Sequence, residues 1–295
     1  MKPKQILMVA AIASALAISA GVLARLKAPS DPTRPLAKLK ASDLSKIELS
    51  RSGQDIILEK GSGAWRLSAP VQDAAESERV EGLAQSLLSL TLGTEVSQDP
   101  AGYPDYGLDE QAAARVRIYA GSDAAPRLDG YFGKKAIGSS VYFRRNREPA
   151  VYLAEGVATD KLPRSAEELR SHSLISLSLS DLQDLRIAQG SSSFRIEKSS
   201  GQWAASGRAL SADQAAELVL AATSLRFAAF ATPEYAKNAG LDKPALTLTA
   251  SGGNRTERVL LGKAVGDRRW AKVESRSAIG YVSKSDADAL LKLIQ

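Results

Sequence analysis

The feature that most limits what this chain can fold into is a sequence pattern that returns at a fixed spacing. Ser42-Asp43-Leu44 recurs as Ser180-Asp181-Leu182, and Glu59-Lys60-Gly-Ser-Gly63-Ala-Trp65 as Glu197-Lys198-Ser-Ser-Gly201-Gln-Trp203, each 138 residues on. Further pairs follow at a shrinking offset, as loop deletions would produce: Gly107-Leu108-Asp109 with Gly240-Leu241-Asp242, Gly133-Lys134 with Gly262-Lys263, and Tyr152 with Tyr281. Self-similarity of this kind predicts two tandem copies of one unit, residues 38–170 and 171–295. At about 120–135 residues, each copy is long enough to bury its own core.

Within each copy the apolar residues alternate as they do in half-buried strands. Lys46–Ser50, Ile57–Lys60 and Trp65–Leu67 read as a three-strand meander, with 185–187, 194–196 and Trp203 in the same places. A helix follows. Its start is signalled by Asp73 with Glu76, and in the second copy by Ser211 with Gln214, both spaced as capping boxes. Val80, Leu83, Leu87 and Leu90 form one stripe, matched by Leu218, Ala221, Leu225 and Ala228, and such stripes pack against a sheet. Four more strand-like runs follow in each copy, and a short C-terminal helix carries Leu290, Leu291 and Ile294. The expected fold class is α+β: two repeats, each a mainly antiparallel sheet packed on one main helix.

Ahead of the first copy lies Ile6–Leu23, an uncharged run flanked by Lys2 and Lys4 before it and Arg25 and Lys27 after it. Eighteen residues at helical rise just cross a hydrocarbon core, so residues 1–27 read as a transmembrane signal anchor. A cleaved secretory signal is the alternative, since small-residue triplets such as Ala15-Leu-Ala17 offer cleavage sites. Lys2 and Lys4 place the short end in the cytoplasm, which makes the expected location a bacterial inner membrane, single-pass, with the bulk of the chain periplasmic. Residues 28–37 hold three prolines and read as a stiff tether.

Charge and composition exclude several functions. The net charge is +6, but residues 1–27 alone supply +4; 36–170 carry 18 basic against 20 acidic residues, and 171–295 carry 16 against 12. That is the charge pattern of a membrane flank, and no nucleic-acid partner is expected. With no Cys and one His, thiolate metal sites are impossible and imidazole chemistry would rest on His172 alone. His172 sits in the polar run Arg170-Ser-His-Ser173 and reads as a linker residue.

The remaining motifs favour structural roles. Gly133-Lys134-Lys135 and Gly262-Lys263 lack the spacing of a phosphate loop. The acidic cluster Asp73, Glu76, Glu78 and Glu81 suits the start of a helix. Trp65 and Trp203 read as core anchors. Lys134, Lys135, Arg144, Arg145 and Arg147, with Lys263, Arg268 and Arg269, flank turns near the same place in each copy. They form the candidate partner surface, the competing reading being solvated hairpin ends. No catalytic residue, cofactor or metal ligand is expected.

The order of meander, Gly-x-Trp, capped helix, Tyr106-Gly-Leu-Asp109 or Ala239-Gly-Leu-Asp242, then Gly-Lys and a late Tyr resembles domain-of-unknown-function family 4340, in two copies. The second copy, with Trp203-Ala-Ala-Ser-Gly-Arg208 against Trp65-Arg-Leu-Ser-Ala-Pro70, is the more divergent. The resemblance implies a protein held by one N-terminal helix outside the cytoplasmic membrane, accompanying ABC-type exporters related to gliding-motility systems, with no catalytic residues to carry over. The expected function is that of a non-enzymatic accessory subunit of an envelope complex, its partner an envelope membrane protein. A glycan- or lipid-binding module using a groove between the repeats is the alternative, and a hydrolase using acidic residues a more distant third.

Overall fold

In a computed structural model of the chain, the described residues are 39–61, 64–156 and 161–294. The expected anchor and the tether lie outside them. Among the described residues no helix is long and apolar enough to cross a membrane. The strands form two antiparallel sheets with few helices. The chain divides into two compact units that interleave in sequence: the chain up to Asp55 with Glu81–Pro163, and Ile56–Val80 with the chain from Arg164 on.

The first unit contains β1 (Leu44–Arg51), β5 (Thr91–Ser97), β6 (Ala114–Ala120), β7 (Leu128–Lys135), β8 (Val141–Arg145) and β9 (Val151–Glu155), side by side in the order β1-β6-β7-β8-β9-β5. Alternation sets the faces. In β6 Ala114, Val116, Ile118 and Ala120 are buried, while Arg115, Arg117 and Tyr119 between them are half-exposed. Phe132 and Phe143, from neighbouring strands, meet edge to face at 5.0 Å in the core. Tyr131 points the other way and joins Leu108, Ala113 and Val151 in a smaller cluster, edged by Tyr103, Tyr106 and Tyr142.

The second unit holds the meander β2 (Gln54–Lys60, from Ile56 on), β3 (Trp65–Ala69) and β4 (Asp73–Ala74). It also holds β10 (Asp184–Gln189), β11 (Ser192–Ser199), β12 (Gln202–Ser206), β13 (Ala229–Phe230), β14 (Leu246–Gly252), β15 (Arg255–Val265), β16 (Arg268–Val273) and β17 (Ile279–Ser283). These eight lie in the order β12-β11-β10-β14-β15-β16-β17-β13. The segment β10-β14-β15-β16-β17-β13 thus runs like β1-β6-β7-β8-β9-β5 of the first unit, down to a last strand taken from the middle of the sequence. Strand β5 and the two-residue β13 carry no alternation of buried and exposed residues, and their place in the sheets was not expected.

Helix α1 spans Ser77–Leu88, α2 Ala212–Thr223 and α3 Lys284–Ile294. The α2 start matches a capping box: Gln214 N donates to Ser211 Oγ at 3.2 Å, and Ser211 N to Gln214 Oε1 at 2.9 Å. The buried face of α2 is Ala215, Leu218, Val219 and Ala222, packed into the same core as Leu290 and Ile294 of α3. The stripe read from the sequence needs correction here, because Ala228 lies exposed beyond the helix. The start of α1 also needs correction: it begins at Ser77, and Asp73 is not its cap but part of β4. The cause lies in Asp73's ionic partners, described next.

Candidate functional site

Asp73 is fully buried, an expensive place for a carboxylate unless it is paired and hydrogen-bonded. Arg276 donates from Nε to Oδ1 at 2.7 Å and from Nη2 to Oδ2 at 3.2 Å; Arg170 Nε donates to Oδ2 at 2.8 Å, and Ala74 N to Oδ1 at 2.8 Å. Burial by itself would raise the Asp73 carboxyl, but the two guanidinium groups and the backbone N–H outweigh it and hold it below the ordinary carboxylate range. Arg276 also donates to the carbonyls of Ser171 and Ser173, each at 2.6 Å, and Arg170 lies 3.8 Å over the Phe230 ring. Glu76 accepts from Arg226 at 2.9 Å. His172 is half-buried, its Nδ1 2.6 Å from Phe227 O and its ring 4.9 Å from Phe230. The second unit is thus laced together by residues 55 to 203 apart in sequence, and each of these polar groups is engaged in holding it.

The recurring Gly-Leu-Asp and Gly-Lys motifs meet as a clasp in each unit. A Cβ on Gly133 would sit 2.2 Å from Tyr106 O, and one on Gly262 2.1 Å from Ala239 O. Only glycine lets the strand approach the loop so closely. Gly107 and Gly240 adopt φ of +65° and +70°, and the aliphatic stems of Lys134 and Lys263 lie over them at 2.8 Å and 2.7 Å from a notional Cβ. Lys134 Nζ donates to the carbonyls of Pro104 and Asp105 at 3.3 Å, at the end of a short helical turn, Tyr103–Tyr106. The β7–β8 and β15–β16 registers both slip at this point.

The candidate partner surface divides on inspection. Arg144 is buried, stacked 3.7 Å over Tyr131 and 4.6 Å from Tyr103, with Nε donating to Leu108 O at 3.3 Å. Arg269 donates to Gly262 O at 2.8 Å and pairs with Asp288 at 3.5 Å, its side chain 12% exposed. Both are therefore corrected from free surface charges: Arg144 is enclosed by a carbonyl and two tyrosine rings, and the half-buried Arg269 is held by a carbonyl and a carboxylate. Lys135, Arg147, Lys263 and Arg268 are exposed and Arg145 half-exposed. Nor do the arginines share one place. Lys134, Lys135, Lys263 and Arg268 flank the β7–β8 and β15–β16 turns, whereas Arg145 and Arg147 flank the β8–β9 turn at the opposite strand end.

Trp65 is buried, and Lys60, its cross-strand partner, lies 5.7 Å over its ring. Trp203 repeats the pairing with Lys198 at 5.5 Å but is half-buried, at the margin of the core. The two are not equivalent anchors, because Trp203 lies on the edge strand β12.

Sequence reasoning missed a cleft of about 590 Å³ on the second unit, lined by Arg186, Lys243, Thr247, Thr249 and Arg258. The signal was present in the alternation of Leu246-Thr-Leu-Thr-Ala250, which turns both threonines out of the core, but nothing local ties them to a lysine in the preceding loop. Among the described residues no cluster of His, Asp or Glu could hold a metal ion.

The chain is a member of the family described as Domain of unknown function (DUF4340), whose model matches residues 65–244. No curated protein and no solved structure matches the chain.

Proposed function

We propose that this chain is a membrane-anchored periplasmic protein, a tandem duplication of one α+β unit, acting as a non-enzymatic accessory subunit of an envelope complex of the ABC-transporter type. The observation that carries the reading is the uncharged run Ile6–Leu23 between two pairs of cations, followed by a proline-rich tether. The duplication is supported by the 138-residue offset, the like strand orders and the clasp found in each unit. An interaction role is supported by the way the buried ionic groups serve the fold while Lys135, Arg147, Lys263 and Arg268 face outward. Reporter fusions at the C-terminus test the anchor: periplasmic reporter activity is expected, and a cytoplasmic C-terminus would reject the proposal. The second reading, an envelope glycan- or lipid-binding module, is favoured by the cleft at Arg186 and Lys243.

A further inference from the structure

The two sheets carry opposite chemistry at matching positions of their outer faces. In the first unit one cross-strand row is Glu48–Arg117–Asp129 on β1, β6 and β7. Its charges are all paired. Arg117 pairs with Glu48 at 2.9 Å, and Asp129 accepts Arg115 through both oxygens at 2.9 and 2.8 Å and Asn146 at 2.7 Å. The row at the same place on β10, β14 and β15 is Arg186–Thr249–Arg258. Both carboxylates have become guanidinium groups, and the central arginine has become threonine. In the adjoining row, the positions of Ser50, Arg115 and Tyr131 are taken by Ala188, Thr247 and Leu260.

Arg117, Arg115 and Tyr131 of the first face thus give way to the smaller Thr249, Thr247 and Leu260 on the second, where a cleft of about 590 Å³ lies. That volume is within the range of small-ligand sites. Lys243 stands at its rim. Arg258 pairs with Glu274 at 3.2 Å, while Arg186, Lys243 and the hydroxyls of Thr247 and Thr249 have no side-chain partner among the described residues. Two unneutralised cations and two hydroxyl donors thus converge on one open volume. Such a set matches a tetrahedral oxyanion, whose several acceptor oxygens take guanidinium, ammonium and hydroxyl donors together.

We propose that this cleft binds a phosphate group borne on a small polar body, either a soluble phosphate ester or a phospholipid headgroup. The site stands independently of the partner reading above, since it requires no other protein.

The test uses the purified full-length chain in a neutral detergent, titrated calorimetrically with inorganic phosphate, glycerol 1-phosphate, dihexanoylphosphatidylglycerol and, as a phosphate-free control, glycerol. Saturable binding is expected, weakened at least tenfold in the Arg186→Ala/Lys243→Ala double variant and unchanged in Arg66→Ala, which removes an exposed charge elsewhere. Both cleft cations are exposed or at the rim, so the double variant should keep the parent melting temperature. Binding of the soluble phosphates identifies the free-ester source. Binding of the phosphatidylglycerol alone identifies the headgroup. Failure of all probes to bind, equal weakening in Arg66→Ala, or equal affinity for glycerol would overturn the site.

Discussion

Replacing Asp73 with alanine removes the acceptor for four N–H groups and leaves Arg276 and Arg170, whose side chains are only 7% and 12% exposed, facing each other without an anion. Losing one partner of a buried ion pair costs about 3–5 kcal/mol, because the remaining charge stays desolvated. Arg276 keeps its bonds to Ser171 O and Ser173 O, which places the expected loss near the lower end, about 3 kcal/mol. For a folding unit of about 150–250 residues, the class of the second unit, that is roughly 6–12 °C in melting temperature. Urea unfolding followed by tryptophan fluorescence reports it, with a lowered midpoint and an unchanged slope. The Asp73→Ala/Arg276→Met variant should be more stable than the sum of the two single losses predicts, since the pair is removed together. A single-variant loss below about 1 kcal/mol, or strict additivity in the double variant, would refute the claim that this network holds the unit together.

Asp73 and Asp129 are both held below the ordinary carboxylate range, where burial is outweighed by their arginine partners. A depressed folded-state value means that the stabilisation is complete above the unfolded value of about 3.9 and is lost as pH falls through the folded one. Stability should therefore fall below about pH 4, and less steeply in Asp73→Ala; parallel pH profiles would count against the assignment. Gly133→Ala and Gly262→Ala place a methyl group against a carbonyl and should each cost about 1–3 kcal/mol by thermal unfolding, a parent-like midpoint contradicting the clasp. Trp65→Ala should cost about 3–5 kcal/mol and Trp203→Ala clearly less, which equal losses would disprove. Lys135→Ala/Arg147→Ala/Arg268→Ala should leave melting unchanged and weaken capture of a membrane partner, whereas Arg144→Ala should lower the melting temperature.

Strand placement was legible because each strand's pattern is local: Ile47 and Leu49, or Val116 and Ile118, mark a buried face by alternation alone. The Ser211–Gln214 cap was legible for the same reason, since both partners lie within one turn. Asp73 followed the same spacing rule and failed it, because residues 97 and 203 positions away bind its carboxylate more strongly than a helix start would. Arg144 likewise reads as a hairpin arginine until Tyr103 and Tyr131 are brought against it. The cleft was least legible. Arg186, Lys243 and Arg258 become neighbours only through strand pairing, and the contrast with Glu48 and Asp129 appears only when the two registers are laid side by side.

The central claim is that this chain serves a membrane complex. Its most direct test is affinity purification of the full-length, C-terminally tagged protein from detergent-solubilised membranes, with mass spectrometry of what stays bound. Permease and ATPase subunits of one transporter, recovered in constant ratio and lost with Lys135→Ala/Arg147→Ala/Arg268→Ala, are the expected result. Recovery of the chain alone would contradict the accessory-subunit account and leave ligand binding at the cleft as the activity to pursue.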